Sequence, residues 1–188
     1  MASIKSIETF KGEYVHLQRI VRSDDHVREV VKVPDSVAFL VYNEETCQLI
    51  FVSQVREAML IRGDMGDGSI LEVPAGHINH GESVQAAVVR ELWEELRIRI
   101  TEDMVDVLIN KKPVALSPGV LTEMMYFAIV RITSKNIIEE REVYGVTEEG
   151  ESITKVVFDH NEVPADISDL KTAFLISIFF MLYPELDT

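Results

Sequence analysis

The stretch from Gly76 to Ile98, GHINHGESVQAAVVRELWEELRI, constrains this chain more than any other. It carries three acids, Glu91, Glu94 and Glu95, directly after Arg90. On a helix turning about 100° per residue, these three side chains fall within about one third of the circumference. Val89, Leu92, Trp93 and Leu96 repeat at i, i+3, i+4 and i+7 and take the other side. One face can pack while the other gathers like charge. Acids three and four residues apart repel and weaken a helix. A hard divalent cation with oxygen ligands would relieve that repulsion. Three acids alone also fit a plain solvated helix face.

What precedes the acids reads as a strand and a loop running into a helix. Ile70-Leu71-Glu72-Val73 is strand-like, Pro74-Ala75-Gly76 breaks it, and Gly81 marks a second turn. Ser83 suits an N-cap, which predicts a helix over about residues 83–97.

The whole spacing says more than the acids. Gly76, Glu82 and Arg90-Glu91-Leu92-Trp93-Glu94-Glu95-Leu96-Arg97-Ile98 resemble the signature of the Nudix hydrolases, G-x5-E-x7-R-E-U-x-E-E-x-G-U, with U a bulky aliphatic. One fixed position departs: Arg97 stands where the family has its second glycine. Glycine there suits a left-handed helix exit, which costs other residues about 1 kcal/mol. The departure bears on the helix end and removes no carboxylate.

Flanking segments extend the resemblance to the ADP-ribose pyrophosphatase, or nucleoside diphosphate sugar hydrolase, branch. They are Arg28-Glu29-Val30-Val31, the strand pair ending at Arg56, Glu72-Val73-Pro74-Ala75-Gly76, Ser117-Pro118-Gly119 and Glu149-Gly150-Glu151-Ser152-Ile153. The resemblance implies an α+β fold, the Nudix α/β/α sandwich with a mixed sheet, plus a small N-terminal antiparallel β subdomain. It implies a dimer-forming unit over residues 1–35 and a Nudix domain over 36–188. The implied reaction is Mg²⁺-dependent hydrolysis of a nucleotide sugar's pyrophosphate, with Mn²⁺ a possible substitute and ADP-ribose the leading substrate.

Carried over residue by residue, Glu91, Glu95, the carbonyl of Ala75 and Glu151 are implied metal ligands. Glu94 shares the metal face, Arg90 holds the acids in place, and Glu149 is the implied catalytic base. Glu148 is its neighbour by one register step. Arg28, Arg56, Ser117 and Glu123 match substrate-facing positions. A homodimer is implied, with Arg28 reaching a neighbouring site. Two rivals stay open: a Nudix pyrophosphatase for another nucleoside diphosphate derivative, and a non-catalytic sensor of ADP-ribose-like ligands.

Composition sets the outer limits. A chain of 188 residues with 47% hydrophobic content can bury a core of its own. A net charge of −14 argues against a nucleic-acid backbone as main partner. Cys47 is the single cysteine, so no intrachain disulfide forms, which fits a reducing cytoplasm. The N-terminus has no long apolar run, and the apolar stretch Ala173 to Leu182 is too short to span a bilayer. That stretch reads as a buried C-terminal helix or an oligomer contact.

Remaining expectations follow chain order. Two or three strands fall in 7–33, a buried strand in 37–42 and its return in 48–55. Strands are expected near 104–109, 113–116, 124–132 and 154–159, a long surface loop over 134–152, and a closing helix over 169–182 capped by Ser168. His77 and His80 lack the partners zinc wants and read as loop residues. Ser117 has no nucleophile-elbow motif around it and reads as part of a turn. Cys47 is expected to be buried rather than reactive.

Overall fold

The computed structural model describes residues 3–12, 15–141, 143–145 and 152–186. Strands β1 (Ile4–Lys11), β2 (His16–Arg22) and β3 (Val27–Lys32) pair antiparallel as a separate sheet. The Ser23-Asp24-Asp25 turn closes β2 on β3, with Asp25 left-handed at φ 62°. Every residue of β1 is exposed, including Ile7 and Phe10, and among the described residues no second layer covers this strand. It is tied to the rest through β3. The amide of Val31 donates to Val120 O at 2.7 Å, and that of Thr122 donates to Val31 O at 3.1 Å.

The larger sheet is built on β4 (Ser36–Asn43), buried along its whole length. Its continuous apolar run suits a central strand covered on both faces. β5 (Gln48–Val55) returns antiparallel beside it. α1 (Glu57–Arg62), β6 (Ser69–Glu72), β7 (Ala75–His77) and α2 (Val84–Leu96) follow. Then come β8 (Val105–Val107), β9 (Val114–Ala115), β10 (Met124–Ile132), β11 (Thr154–Asp159) and α3 (Leu170–Leu182). The main order is β11-β5-β4-β10-β8; β10 runs parallel to β4, and the other pairings are antiparallel. The sheet is therefore mixed, as expected.

Strand alternation divides the core into two layers. Val37, Phe39 and Val41 face Ala87, Val88, Leu92 and Leu96 of α2. Ala38, Leu40 and Tyr42 face Leu175 and Phe179 of α3. This is an α/β/α sandwich with α2 and α3 on opposite faces. Among the described residues no helix is long and apolar enough to cross a membrane.

α2 begins as its sequence predicts: the Ser83 hydroxyl accepts from the amide of Ala86 at 3.0 Å. It ends at Arg97, left-handed at φ 53°. Here the arginine offsets the strain that glycine would avoid. Arg97 Nη1 donates to Trp93 O at 2.9 Å, and its guanidinium lies 5.1 Å from the Trp93 ring centroid. Arg99 stacks on the same ring at 5.0 Å.

Some details differ from the sequence expectations. α1 has no expected counterpart, because none of its residues is buried and no apolar stripe marks it. α3 is capped by Asp169, not Ser168: Asp169 Oδ2 accepts from both the amide and the hydroxyl of Thr172, at 2.9 and 2.8 Å. Asp169 holds the position directly before Leu170, the first helical residue, from which a short side chain reaches back to the amide of Thr172; Ser168 lies one residue too early. Within 134–152, Tyr144 is buried rather than on a surface loop, because its backbone pairs with Ile153 at 2.8 and 3.1 Å. Cys47 is exposed, because it sits left-handed (φ 56°) in the turn between β4 and β5.

Candidate active site

The site forms where the sheet divides. The last three residues of β4 pair with β5, whereas its first three pair with β7 as Ser36↔His77, Val37↔Gly76 and Ala38↔Ala75. β5 meanwhile continues onto β6. The chain crosses from one partner to the other at Val73–Pro74, and the amide of Phe39 donates to Pro74 O at 3.0 Å. This crossing sets Ala75 and Gly76 against α2.

Contact there is close enough to require glycine. A Cβ on Gly76 would lie 1.7 Å from Glu91 Oε1. The missing side chain is the space that Glu91 occupies.

Arg90 gathers the acids. Its Nε and Nη2 each donate to Glu82 at 3.0 Å, and Nη2 also donates to His77 O at 2.8 Å. Nη1 donates to Glu91 Oε1 at 2.7 Å and to Glu94 Oε2 at 3.0 Å. One guanidinium thus ties the loop, the strand and the carboxylate face together. These hydrogen bonds, Glu82 foremost, raise the Arg90 pKa still further, so it stays cationic. Glu82 in turn is held below the usual carboxylate range, chiefly by its hydrogen bonds from Arg90. Glu95, one turn beyond Glu91, is buried at 3% exposure.

Beside this cluster lies a cleft of about 640 Å³. Ala75, Gly76, Arg90, Glu91 and Glu94 line it, together with two further cations, Arg56 and Lys171. Both cations are held by Glu72, itself only 3% exposed. Arg56 approaches Glu72 Oε2 with Nε at 2.8 Å and Nη2 at 2.6 Å, and Lys171 Nζ approaches Oε1 at 3.2 Å. Elsewhere in the lining, the Ser36 hydroxyl donates to Glu123 Oε1.

The cleft therefore brings together six residues expected from sequence: Arg56, Ala75, Arg90, Glu91, Glu94 and Glu123. It does not include Arg28, which lies on exposed β3 with Nη1 donating to Val27 O at 2.8 Å. Nor does it include Ser117, whose carbonyl closes a turn by accepting from Val120 and Leu121 at 2.9 and 2.8 Å; Leu116 lines the cleft instead. Glu148, Glu149 and Glu151 lie outside the described residues. Sequence reasoning passed over Lys171, Ser36 and the part played by Glu72. For Glu72 a signal existed: one charge inside the apolar run Ile70-Leu71-Val73.

The donor chemistry fits a hard divalent cation. Carboxylates and a strand carbonyl are oxygen donors, which Mg²⁺ and Mn²⁺ take. Among the described residues no three His, Cys, Asp or Glu side chains form a ready ligand sphere. Glu91 and Glu94 are bridged by Arg90 Nη1, so a cation taking those oxygens would compete with the guanidinium.

The chain is 28% identical over 137 residues to a methanol dehydrogenase activator of Bacillus methanolicus, covering 71% of this chain and 67% of the relative. It is 30% identical over 108 residues to a GDP-mannose pyrophosphatase of Enterobacter sp. (strain 638), covering 57% of this chain and 53% of that protein. The chain thus spans about half the length of the second relative. Residues 32–173, from the end of β3 into α3, match the NUDIX domain, and this chain belongs to the Nudix family.

Proposed function

We propose that this protein hydrolyses the pyrophosphate bond of a nucleoside diphosphate sugar, releasing a nucleoside monophosphate and a sugar phosphate, with Mg²⁺ or Mn²⁺ as cofactor. The observation that carries this reading is one cleft lined by two helix carboxylates, Glu91 and Glu94, and by the cations Arg56 and Lys171. A pyrophosphate is a poor electrophile because its oxygens repel a nucleophile. A bound divalent cation supplies charge neutralisation and acidifies water. Glu91, Glu95 and the Ala75 carbonyl would hold it, with Glu94 beside them. Arg90 keeps Glu91 and Glu94 together, and Arg56 and Lys171 bind phosphate oxygens that the carboxylates would repel.

The resemblance assigns the proton acceptor to Glu149 and a further ligand to Glu151. General-base assistance is worth about 10²–10⁴ in rate. Glu149→Gln should lower kcat by that order with metal affinity little changed, whereas Glu148→Gln stays nearly silent; the reverse pattern would shift the register by one. We assign residues 1–35 to a dimer-forming unit and 36–188 to the Nudix domain. Support comes from the uncovered β1 and from Arg28, which does not line its own chain's cleft. A concentration-independent monomer mass in light scattering, with full activity, would remove the dimer.

The test of function is a phosphatase-coupled phosphate-release screen across nucleotide sugars with Mg²⁺ and Mn²⁺. ADP-ribose leads by resemblance, and GDP-mannose stands beside it through the second relative's name. Binding of these ligands without turnover would favour a sensor instead.

A further inference from the structure

Glu72 is the most buried acid facing the cleft's cations, and no step of the proposed reaction uses it directly. It ends β6, immediately before the Val73–Pro74 crossing. Its two oxygens do separate work. Oε2 accepts from Arg56 Nε and Nη2 at 2.8 and 2.6 Å and lies 3.4 Å from Gln54 Nε2. Oε1 accepts from Lys171 Nζ at 3.2 Å. Lys171 is also held by Asp169 Oδ1 at 2.7 Å. That acid caps α3 through Thr172, whose hydroxyl oxygen accepts from the amide of Val73 at 2.7 Å. The start of α3, Glu72 and the crossing therefore form one connected network.

A buried carboxylate is costly unless paired. Here it meets two cations whose remaining donors it leaves for the cleft. Flexible cations lose rotamer freedom when they grip a ligand, and a fixed acid behind them removes much of that cost in advance. We infer that Glu72 is a positioning residue: it sets the spacing of Arg56 and Lys171 so that together they grip a diphosphate. This rests on the proposed function for its substrate, though not for its test.

The test uses ADP as a diphosphate probe, titrated calorimetrically into the full chain with metal chelated, so that turnover is not needed. Glutamine at position 72 keeps the volume but has one carbonyl oxygen, so it can accept from one cation only and turns an amide N–H toward the other. Glu72→Gln should weaken ADP binding by roughly tenfold or more. In a Lys171→Met background a single acceptor suffices for Arg56. There, the same substitution should weaken ADP by no more than about twofold, which is the non-additivity expected of residues acting through one network. With nucleotide sugar and Mg²⁺, the loss should fall on KM, with kcat and the half-saturating Mg²⁺ concentration nearly unchanged. Equal fold losses in both backgrounds would overturn the inference, as would unchanged or tighter ADP binding, or no ADP binding by the wild type. If Glu72→Gln does not fold, Glu72→Asp, which keeps charge but shortens reach, is judged by the same comparison. A wild type that binds ADP but hydrolyses no nucleotide sugar would end the functional reading and leave the inference standing.

Discussion

Replacing Gly76 by alanine isolates what the contact between β7 and α2 does. Gly76 does not occupy the left-handed region, so alanine is acceptable to the backbone itself. The added methyl would lie 1.7 Å from Glu91 Oε1, 1.9 Å from Cδ and 2.6 Å from Cγ. Carbon contacts settle near 3.5 Å, so the carboxylate must retreat by roughly 1.5 Å or more. That movement breaks the 2.7 Å hydrogen bond from Arg90 Nη1. A misplacement of about 1 Å costs about 10²-fold in rate where orientation matters. Stability should suffer less, because what yields is the end of a flexible side chain. An overpacking cost of about 1–2 kcal/mol lowers Tm by only a few degrees in a chain of this size. The assay is phosphate release at saturating Mg²⁺ beside a thermal melt, with Gly119→Ala as the silent control, since nothing lies within 4 Å of its added Cβ. Gly76→Ala activity within about threefold of wild type would refute the role given to Glu91's position. A Tm loss above about 10 °C would show the contact to be structural first.

Glu95→Gln should nearly abolish turnover while the melt survives, since it removes charge and keeps volume; activity within a few-fold at saturating Mg²⁺ would refute its place as a ligand. The Glu82–Arg90 pair predicts acid sensitivity. Glu82's folded pKa is depressed, so its contribution is present above the unfolded value of about 4.3 and is lost as pH falls through the folded value. A Tm profile from about pH 6 to pH 3 should fall less steeply in Glu82→Gln than in wild type. Arg97→Gly should be close to neutral in a melt, within about 1 kcal/mol. It relieves about 1 kcal/mol of left-handed strain but loses a hydrogen bond and the stacking on Trp93. A loss above about 3 kcal/mol would mean that the arginine does more than offset its own strain.

Much of this was legible without coordinates. The helical face of Glu91, Glu94 and Glu95 follows from spacing alone, and the cap at Ser83 from local chemistry, because helix geometry is a rule of near neighbours. β4 announced itself by an unbroken apolar run, and the two core layers follow from its alternation. Elements without an apolar stripe, such as α1, left no such trace.

The family and the sandwich can be read from side-chain type at short, regular separations, as in the Gly76–Ile98 signature and the apolar run of β4. Which charges meet depends instead on how distant segments dock. Glu72 and Lys171 stand 99 positions apart and touch because α3 begins beside the crossing between β6 and β7. Arg90 reaches Glu82, Glu91, Glu94 and His77 O together because the loop folds back over the helix that carries it. Long-range ion pairs leave no periodicity for a sequence to display. They arise from how strands diverge and helices dock, and here that divergence opens the cleft and sets its cations beside its acids.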